Sequence, residues 1–124
     1  MEKDKHVLVI EDDIDLCGTV VDTLKRAGYK TLGAHTSREA IMKLKNQTYH
    51  CILVDIRLGL DSGEDLVEFI RTRKDAMNVE TPIVVISGFL DKDLVSRIGK
   101  QIQGALVKPF EMKTLVDLVK KHTG

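Results

Sequence analysis

The hydrophobic pattern of the chain alternates between two kinds of segment. Short apolar runs rich in β-branched residues lie at 7–10, 31–34, 51–54, 83–86 and 105–107. Such short runs, without polar alternation, predict strands buried on both faces. Between them, apolar residues recur at helical spacing. The sets are Cys17, Val20, Val21 and Leu24; Ala40, Ile41 and Leu44; Leu66, Phe69 and Ile70; Leu94 and Ile98; and Met112, Leu115, Val116 and Val119. Each set marks one face of an amphipathic helix.

Punctuation agrees with that reading. Gly28 follows Lys25, Arg26 and Ala27 as a left-handed helix cap would, and Thr36 with Glu39 makes a capping box. Ser62, followed by Glu64 and Asp65, opens the third helix. Basic residues fall in the last helical turns (Lys25/Arg26, Lys43/Lys45, Arg71/Arg73/Lys74, Arg97/Lys100, Lys120/Lys121), and complementing the helix dipole is sufficient reason for them. Five strand-then-helix units predict a doubly wound α/β domain over residues 1–124, with a five-stranded parallel sheet and right-handed crossovers. The third interval is the longest because it carries a loop after Asp55 and the polar stretch 75–81.

Composition narrows the class. A length of 124 residues suits one domain. With 43% hydrophobic and 31% charged residues the chain is not a disordered tail. Lys+Arg and Asp+Glu are 19 each, and that neutral balance argues against a direct nucleic-acid partner. No apolar run is long enough for a membrane helix or a signal segment, so no membrane partner is expected. The two cysteines, Cys17 and Cys51, sit in apolar stretches and read as core residues of a cytoplasmic protein. His6, His35, His50 and His122 lack metal-site spacing. No glycine-rich nucleotide motif is present.

The polar residues at the strand ends carry the chemistry. In an open parallel sheet, ligands bind beyond the carboxyl ends of the strands. There stand Glu11, Asp12 and Asp13 after the first run, Asp55 after the third, Ser87 after the fourth, and Lys108-Pro109 after the fifth. Clustered carboxylates repel one another, and Mg²⁺ relieves this while leaving positions for phosphate oxygens. Lys108 adds a positive charge and Ser87 a hydroxyl donor. An aspartate in such a set can act as a nucleophile and form an acyl phosphate. Singly each residue has an ordinary structural explanation, with Asp13 a helix cap; it is their convergence on one rim that points to phosphoryl chemistry.

The stretches VLVIEDD (7–13), VDIRLGLDSG (54–63), VVISG (84–88) and ALVKPF (105–110), in this order and spacing, resemble a receiver domain of the two-component response-regulator family. The resemblance implies the flavodoxin-like (βα)5 fold with strand order 2-1-3-4-5. It implies that Asp55 is the phosphoacceptor, served by a sensor histidine kinase or phosphotransfer protein. It further implies Mg²⁺ held by Asp12, Asp55, the Arg57 backbone carbonyl and, mainly through water, Glu11, with Asp13 an outside candidate for the role of Asp12. Ser87 and Lys108 would contact the phosphoryl group, the Lys108–Pro109 bond would be cis, and Gly88 would leave room for the incoming group.

The chain departs from the family pattern in three places. Gly59 stands where proline is usual and is expected to loosen its loop. Ala105 replaces the aromatic switch residue, so the signal would pass through Phe89, Phe110 or loop movement. Arg57 and Phe89, each two residues beyond a site residue, are large and are expected to slow autodephosphorylation.

The expected role is a signalling switch that turns over no external metabolite. Its output protein is unknown, and its readout surface, by resemblance, is the fourth helix, fifth strand and fifth helix, a face that could also support a homodimer. Met1 leans the reading slightly toward a free-standing regulator, while the Ser-Gly-Phe turn at 87–89 resembles receivers of hybrid kinases, and a receiver excised from such a kinase or from a longer regulator is the alternative. Two rivals are a constitutive pseudo-receiver module, favoured by Ala105, and a flavin carrier on the same fold, disfavoured by the acids after the first strand.

Overall fold

The computed structural model describes residues 4–73 and 77–124. Its main elements are β1 (His6–Ile10), α1 (Ile14–Arg26), β2 (Lys30–Ala34), α2 (Ser37–Asn46), β3 (Cys51–Asp55), α3 (Gly63–Thr72), β4 (Ile83–Ser87), α4 (Lys92–Ile98), β5 (Gly104–Val107) and α5 (Met112–Thr123). A 3₁₀ turn, Gly99–Gln101, extends α4. The sheet runs β2-β1-β3-β4-β5 with every pair parallel, which is the expected doubly wound order. Among the described residues, no helix is long and apolar enough to cross a membrane.

The continuous apolar runs are explained by helices on both faces. Leu8, Ile10, Ile52, Val54, Ile83 and Val85 point to a core closed by Ala40 and Leu44 of α2, Leu66, Val67 and Ile70 of α3, and Leu94 and Ile98 of α4. The alternate residues Val7, Val9, Cys51, Leu53, Val84 and Ile86 point the other way, onto Cys17, Val20 and Leu24 of α1 and Leu115 and Val119 of α5. Each such fully buried aliphatic side chain contributes roughly 2 kcal/mol. The edge strands are less covered than the run pattern predicts: Leu32 in β2 and Val107 in β5 are exposed. Each edge strand has a neighbour on one side only, and the helices do not wrap fully around it.

The helix ends form as their sequences predict. Asp13 Oδ1 accepts from Leu16 N, Thr36 Oγ1 from Glu39 N, and Ser62 Oγ from Asp65 N. Gly28, at φ +102°, closes α1 in a Schellman arrangement, with Tyr29 N donating to Leu24 O and Gly28 N to Lys25 O. Cys17 and Cys51 are buried and burial raises both thiol pKa values, so packing is their role. Phe69 is only partly buried, with the Arg73 guanidinium 5.0 Å over its ring.

Two of the helix-end arginines do more than complement a dipole. Arg71 donates to the carbonyls of Gln101 and Val79 and to Gln103 Oε1, tying α3 to the turn after α4. Arg97 forms a two-pronged ion pair with Glu64 at 2.7 and 3.1 Å, across from α4 to α3. Lys74 and residues 75 and 76 of the polar stretch lie outside the described residues.

The rest of that stretch is organised by Asn78, which is buried. Its Oδ1 accepts from Tyr49 N and Thr81 Oγ1, and its Nδ2 donates to the carbonyls of Leu44 and Gln47. One amide thus joins the end of α2, the entry to β3 and the approach to β4. Asn78→Ala would strand several buried polar groups, so the midpoint and slope of urea unfolding should report a loss on the order of 3 kcal/mol. A loss below about 1 kcal/mol would mean that water replaces the amide without penalty.

Candidate functional site

Because all five strands run in parallel, their carboxyl ends share one rim, and backbone ladder bonds continue one residue past the strands there. Glu11 N donates to Ala34 O, Ile56 N to Ile86 O, and Lys108 N to Ser87 O. The polar residues at the strand ends are therefore held by the sheet itself. Glu11 follows β1, Asp55 and Ser87 end β3 and β4, and Lys108 follows β5 through a cis bond to Pro109.

The side chains meet in an open cleft lined by Glu11, Asp12, Asp13, Asp55, Arg57, Ser87, Gly88, Phe89, Asp91, Leu94, Arg97 and Lys108. Carboxylate oxygens of Glu11, Asp12 and Asp55 lie within 4.8 Å of one another. Lys108 Nζ bridges two of them, at 2.8 Å from Asp55 Oδ2 and 2.9 Å from Glu11 Oε1. The other oxygen of Asp55 accepts from Arg57 N at 2.9 Å. Asp13 caps α1 and gives Glu11 Oε2 a backbone N–H at 3.2 Å. Of the acidic run, Glu11 and Asp12 lie with Asp55, while the Asp13 side chain caps α1 at the edge of the cleft.

Electrostatics follow from burial. Glu11 is almost wholly enclosed, and loss of water with Asp55 beside it pushes its carboxyl up to about 8, against the pull of Lys108. Burial works against the Lys108 ammonium too, yet hydrogen bonds and charge from Asp55 and Glu11 outweigh it, so the amine is held more firmly protonated.

The Glu11 Oε1 atom is buried, and the Lys108 ammonium reaches it at 2.9 Å, which leaves its other lone pair toward the carboxylate cluster. An under-satisfied carboxylate oxygen facing two further carboxylates is the donor set of a hard divalent cation. The residues present therefore fit such an ion.

The remaining expected residues are also on this rim. Ser87 Oγ is engaged by the following turn: it donates to Phe89 O at 2.7 Å and accepts from Phe89 N at 3.1 Å. Gly88 faces open space, with no atom within 4 Å of where a Cβ would stand. Phe89 lines the cleft and is 71% exposed. Phe110 instead packs against the α1–α5 core, and Ala105 lies in β5 opposite Val85, outside the cleft lining.

The loop after Asp55 differs from expectation. Arg57–Leu58 and Asp61–Ser62 pair as a short antiparallel ladder, with Gly59 at φ +61° in the turn between them. Proline could not take that angle, so here the glycine closes a hairpin. Asp61 Oδ2 then accepts from Ser37 N at the start of α2.

Three neighbours of the cleft carry no sequence signal because they depend on distant contacts. Gly63 packs so closely that a Cβ would stand 2.1 Å from Asp55 O. His35 Nδ1 lies 3.1 Å from Glu11 O. Arg97 reaches the cleft through its pair with Glu64.

Comparison with known proteins places this geometry. A family model described as the response regulator receiver domain matches residues 7–120. Response regulator protein FleR of Pseudomonas aeruginosa is 29% identical over 119 residues, covering 94% of this chain and 24% of that protein. The chain spans between about a quarter and a half of the length of curated relatives such as FleR and regulatory protein VanRB of Enterococcus faecalis. Among solved structures, chemotaxis protein CheY4 of Vibrio cholerae superposes with a TM-score of 0.89 at 26% identity, covering 97% of this chain and 99% of that one. A response regulator from Burkholderia pseudomallei, solved with a phosphorylated aspartic acid, a calcium ion and citrate, superposes with a TM-score of 0.83 at 27% identity, covering 94% of this chain and 66% of that one. Matched nearly from end to end in sequence and in strand order alike, the chain belongs to the response regulator receiver domain family.

Proposed function

We propose that the 124 residues form one phosphoacceptor receiver domain, in which Asp55 takes a phosphoryl group from a phosphohistidine of a sensor kinase or phosphotransfer protein. The observation that carries this reading is the double anchoring of the Asp55 carboxylate, by Lys108 Nζ at 2.8 Å and Arg57 N at 2.9 Å, beside two further carboxylates.

The step balances without an external base. A carboxylate oxygen of Asp55 attacks phosphorus, the P–N bond to the donor imidazole breaks, and the imidazole leaves with its electron pair and takes up a proton from solvent. Attack by water later returns the carboxylate and inorganic phosphate. Lys108 and Arg57 N orient the carboxylate, and Lys108 neutralises charge that builds on the transferred oxygens. Asp12, Asp55 and the Arg57 carbonyl would hold Mg²⁺, with Glu11 acting through water. When bound, the ion would neutralise the carboxylate cluster and the phosphoryl oxygens.

The switch would start at Ser87. Its single proton is committed to Phe89 O, so donating to a phosphoryl oxygen requires that bond to open. The loop leading into α4 would then move, with Phe89 as the aromatic that changes place, since Ala105 has no ring and Phe110 is partly buried against the α1–α5 core rather than in the cleft. A cytoplasmic protein that reads α4, β5 and α5 is the output this arrangement fits. The constitutive pseudo-receiver reading has only Ala105 in its favour, while Glu11, Asp12, Asp55, Ser87 and Lys108 are all in place. A flavin phosphate would meet Glu11 and Asp12 where it needs donors.

Two measurements follow. Intact mass after incubation with a small phosphodonor should show one added phosphoryl group that requires Mg²⁺ and is absent from Asp55→Asn. A gain that persists in that variant or without metal would overturn the assignment. The side chains of Arg57 and Phe89 flank the approach to Asp55 and should slow attack by water. Arg57→Asn with Phe89→Ser should therefore shorten the phosphoryl lifetime about tenfold, equivalent to about 1.4 kcal/mol off the barrier; an unchanged decay rate would remove both residues from that role.

A further inference from the structure

Outside the phosphoacceptor cleft, the face formed by α2, α3 and the tip of the hairpin after β3 carries an apolar groove. Ile41 and Phe69 line its middle, and both its halves open on them. Leu60 stands fully exposed at the hairpin tip, and Met77, which lines the far half, is half exposed. A contiguous apolar strip of this kind marks an interaction surface.

Its charges are polarised along its length. Both helices start at the rim and run to the opposite end of the sheet. The rim end is lined by Asp61 and Asp65, and the far end by Lys45 and by Arg73. Arg38 and Glu39, in the first turn of α2, offset each other at the rim end. A partner helix with its own charges could be built to fit, but one partner needs no further assumption. A second copy rotated by a two-fold axis through Ile41 and Phe69 places its acidic end on the first copy's basic end, and the reverse. That is the self-complementarity an isologous contact requires.

We propose that this face is a self-association surface, with two copies packed antiparallel through α2, α3 and the hairpin. The contact buries Leu60 and Phe69 between two reciprocal pairs of Lys45 with Asp65. It is distinct from the α4–β5–α5 face. It also bears on the phosphoacceptor site, because Asp61 holds the start of α2 while Arg57, at the other limb of the hairpin, holds Asp55. The small area involved predicts a reversible dimer with micromolar dissociation.

Sedimentation equilibrium of the whole chain, without phosphodonor, tests it independently of phosphorylation. The chain should dimerise reversibly, and Leu60→Ser, whose side chain makes no packing contribution to the fold, should weaken the dimer at least tenfold. Lys45→Glu and Asp65→Lys should each weaken it at least tenfold, and the two together should restore it to within threefold of the parent. That reciprocal rescue also excludes misfolding as the cause of the single losses. A chain that stays monomeric to high concentration would overturn the proposal. So would a dimer indifferent to these changes but lost on Val95→Asp or Val107→Asp, which would place the contact on the α4–β5–α5 face.

Discussion

A single ammonium group holds together two carboxylates at the end of a buried sheet. Lys108 Nζ lies within 3 Å of both Asp55 and Glu11, and the surrounding structure works to bring it there. Five parallel strands align their carboxyl ends, and ladder bonds carry that alignment past the last strand residue. Two-sided helical packing makes the sheet rigid enough to keep like charges close, which open solvent and flexible loops would not do. The repulsion is only partly relieved: burial and the neighbouring Asp55 still raise the Glu11 carboxyl against the pull of Lys108. A site in this condition is built to accept positive charge, whether as a cation or with an incoming phosphoryl group that brings one.

Much of this was legible in the residues themselves. The strand order and both helical layers follow from apolar runs flanked by caps, because a parallel sheet with helices on both faces leaves few ways to bury such runs. The site residues were legible for a related reason. Residues that immediately follow a strand cannot escape the rim, so Glu11, Asp12, Asp55, Ser87 and Lys108 were placed by chain connectivity alone.

What was not legible depends on contacts that no local pattern encodes. The run pattern does not tell an edge strand from a central one, so the exposure of Leu32 and Val107 emerges only with the sheet. Gly59 reads as a loosened loop until the pairing of Arg57 with Ser62 shows the turn that it closes. Asn78 looks like one polar residue in a loop, although its four hydrogen bonds join three segments. The direction of the Ser87 hydroxyl is a matter of rotamer, and it decides how a domain with Ala105 in place of a ring could transmit a signal. For the edge strands and Asn78 the missing information is a partner tens of residues away, for Gly59 it is a pairing across a short turn, and for Ser87 it is a single torsion.

The central claim is that Glu11, Asp12 and Asp55, gathered with Lys108 on one rim, form a site fit for a divalent cation. Calorimetric titration of Mg²⁺ into the metal-free chain near pH 7, repeated in buffers of different ionisation enthalpy, tests it most directly, because metal binding to a protonated ligand set releases the proton. Because burial and Asp55 raise the Glu11 carboxyl to about 8, binding near pH 7 should be accompanied by proton release, and that release should diminish as pH rises above that value. Binding without proton release, or no binding at all, would contradict the account.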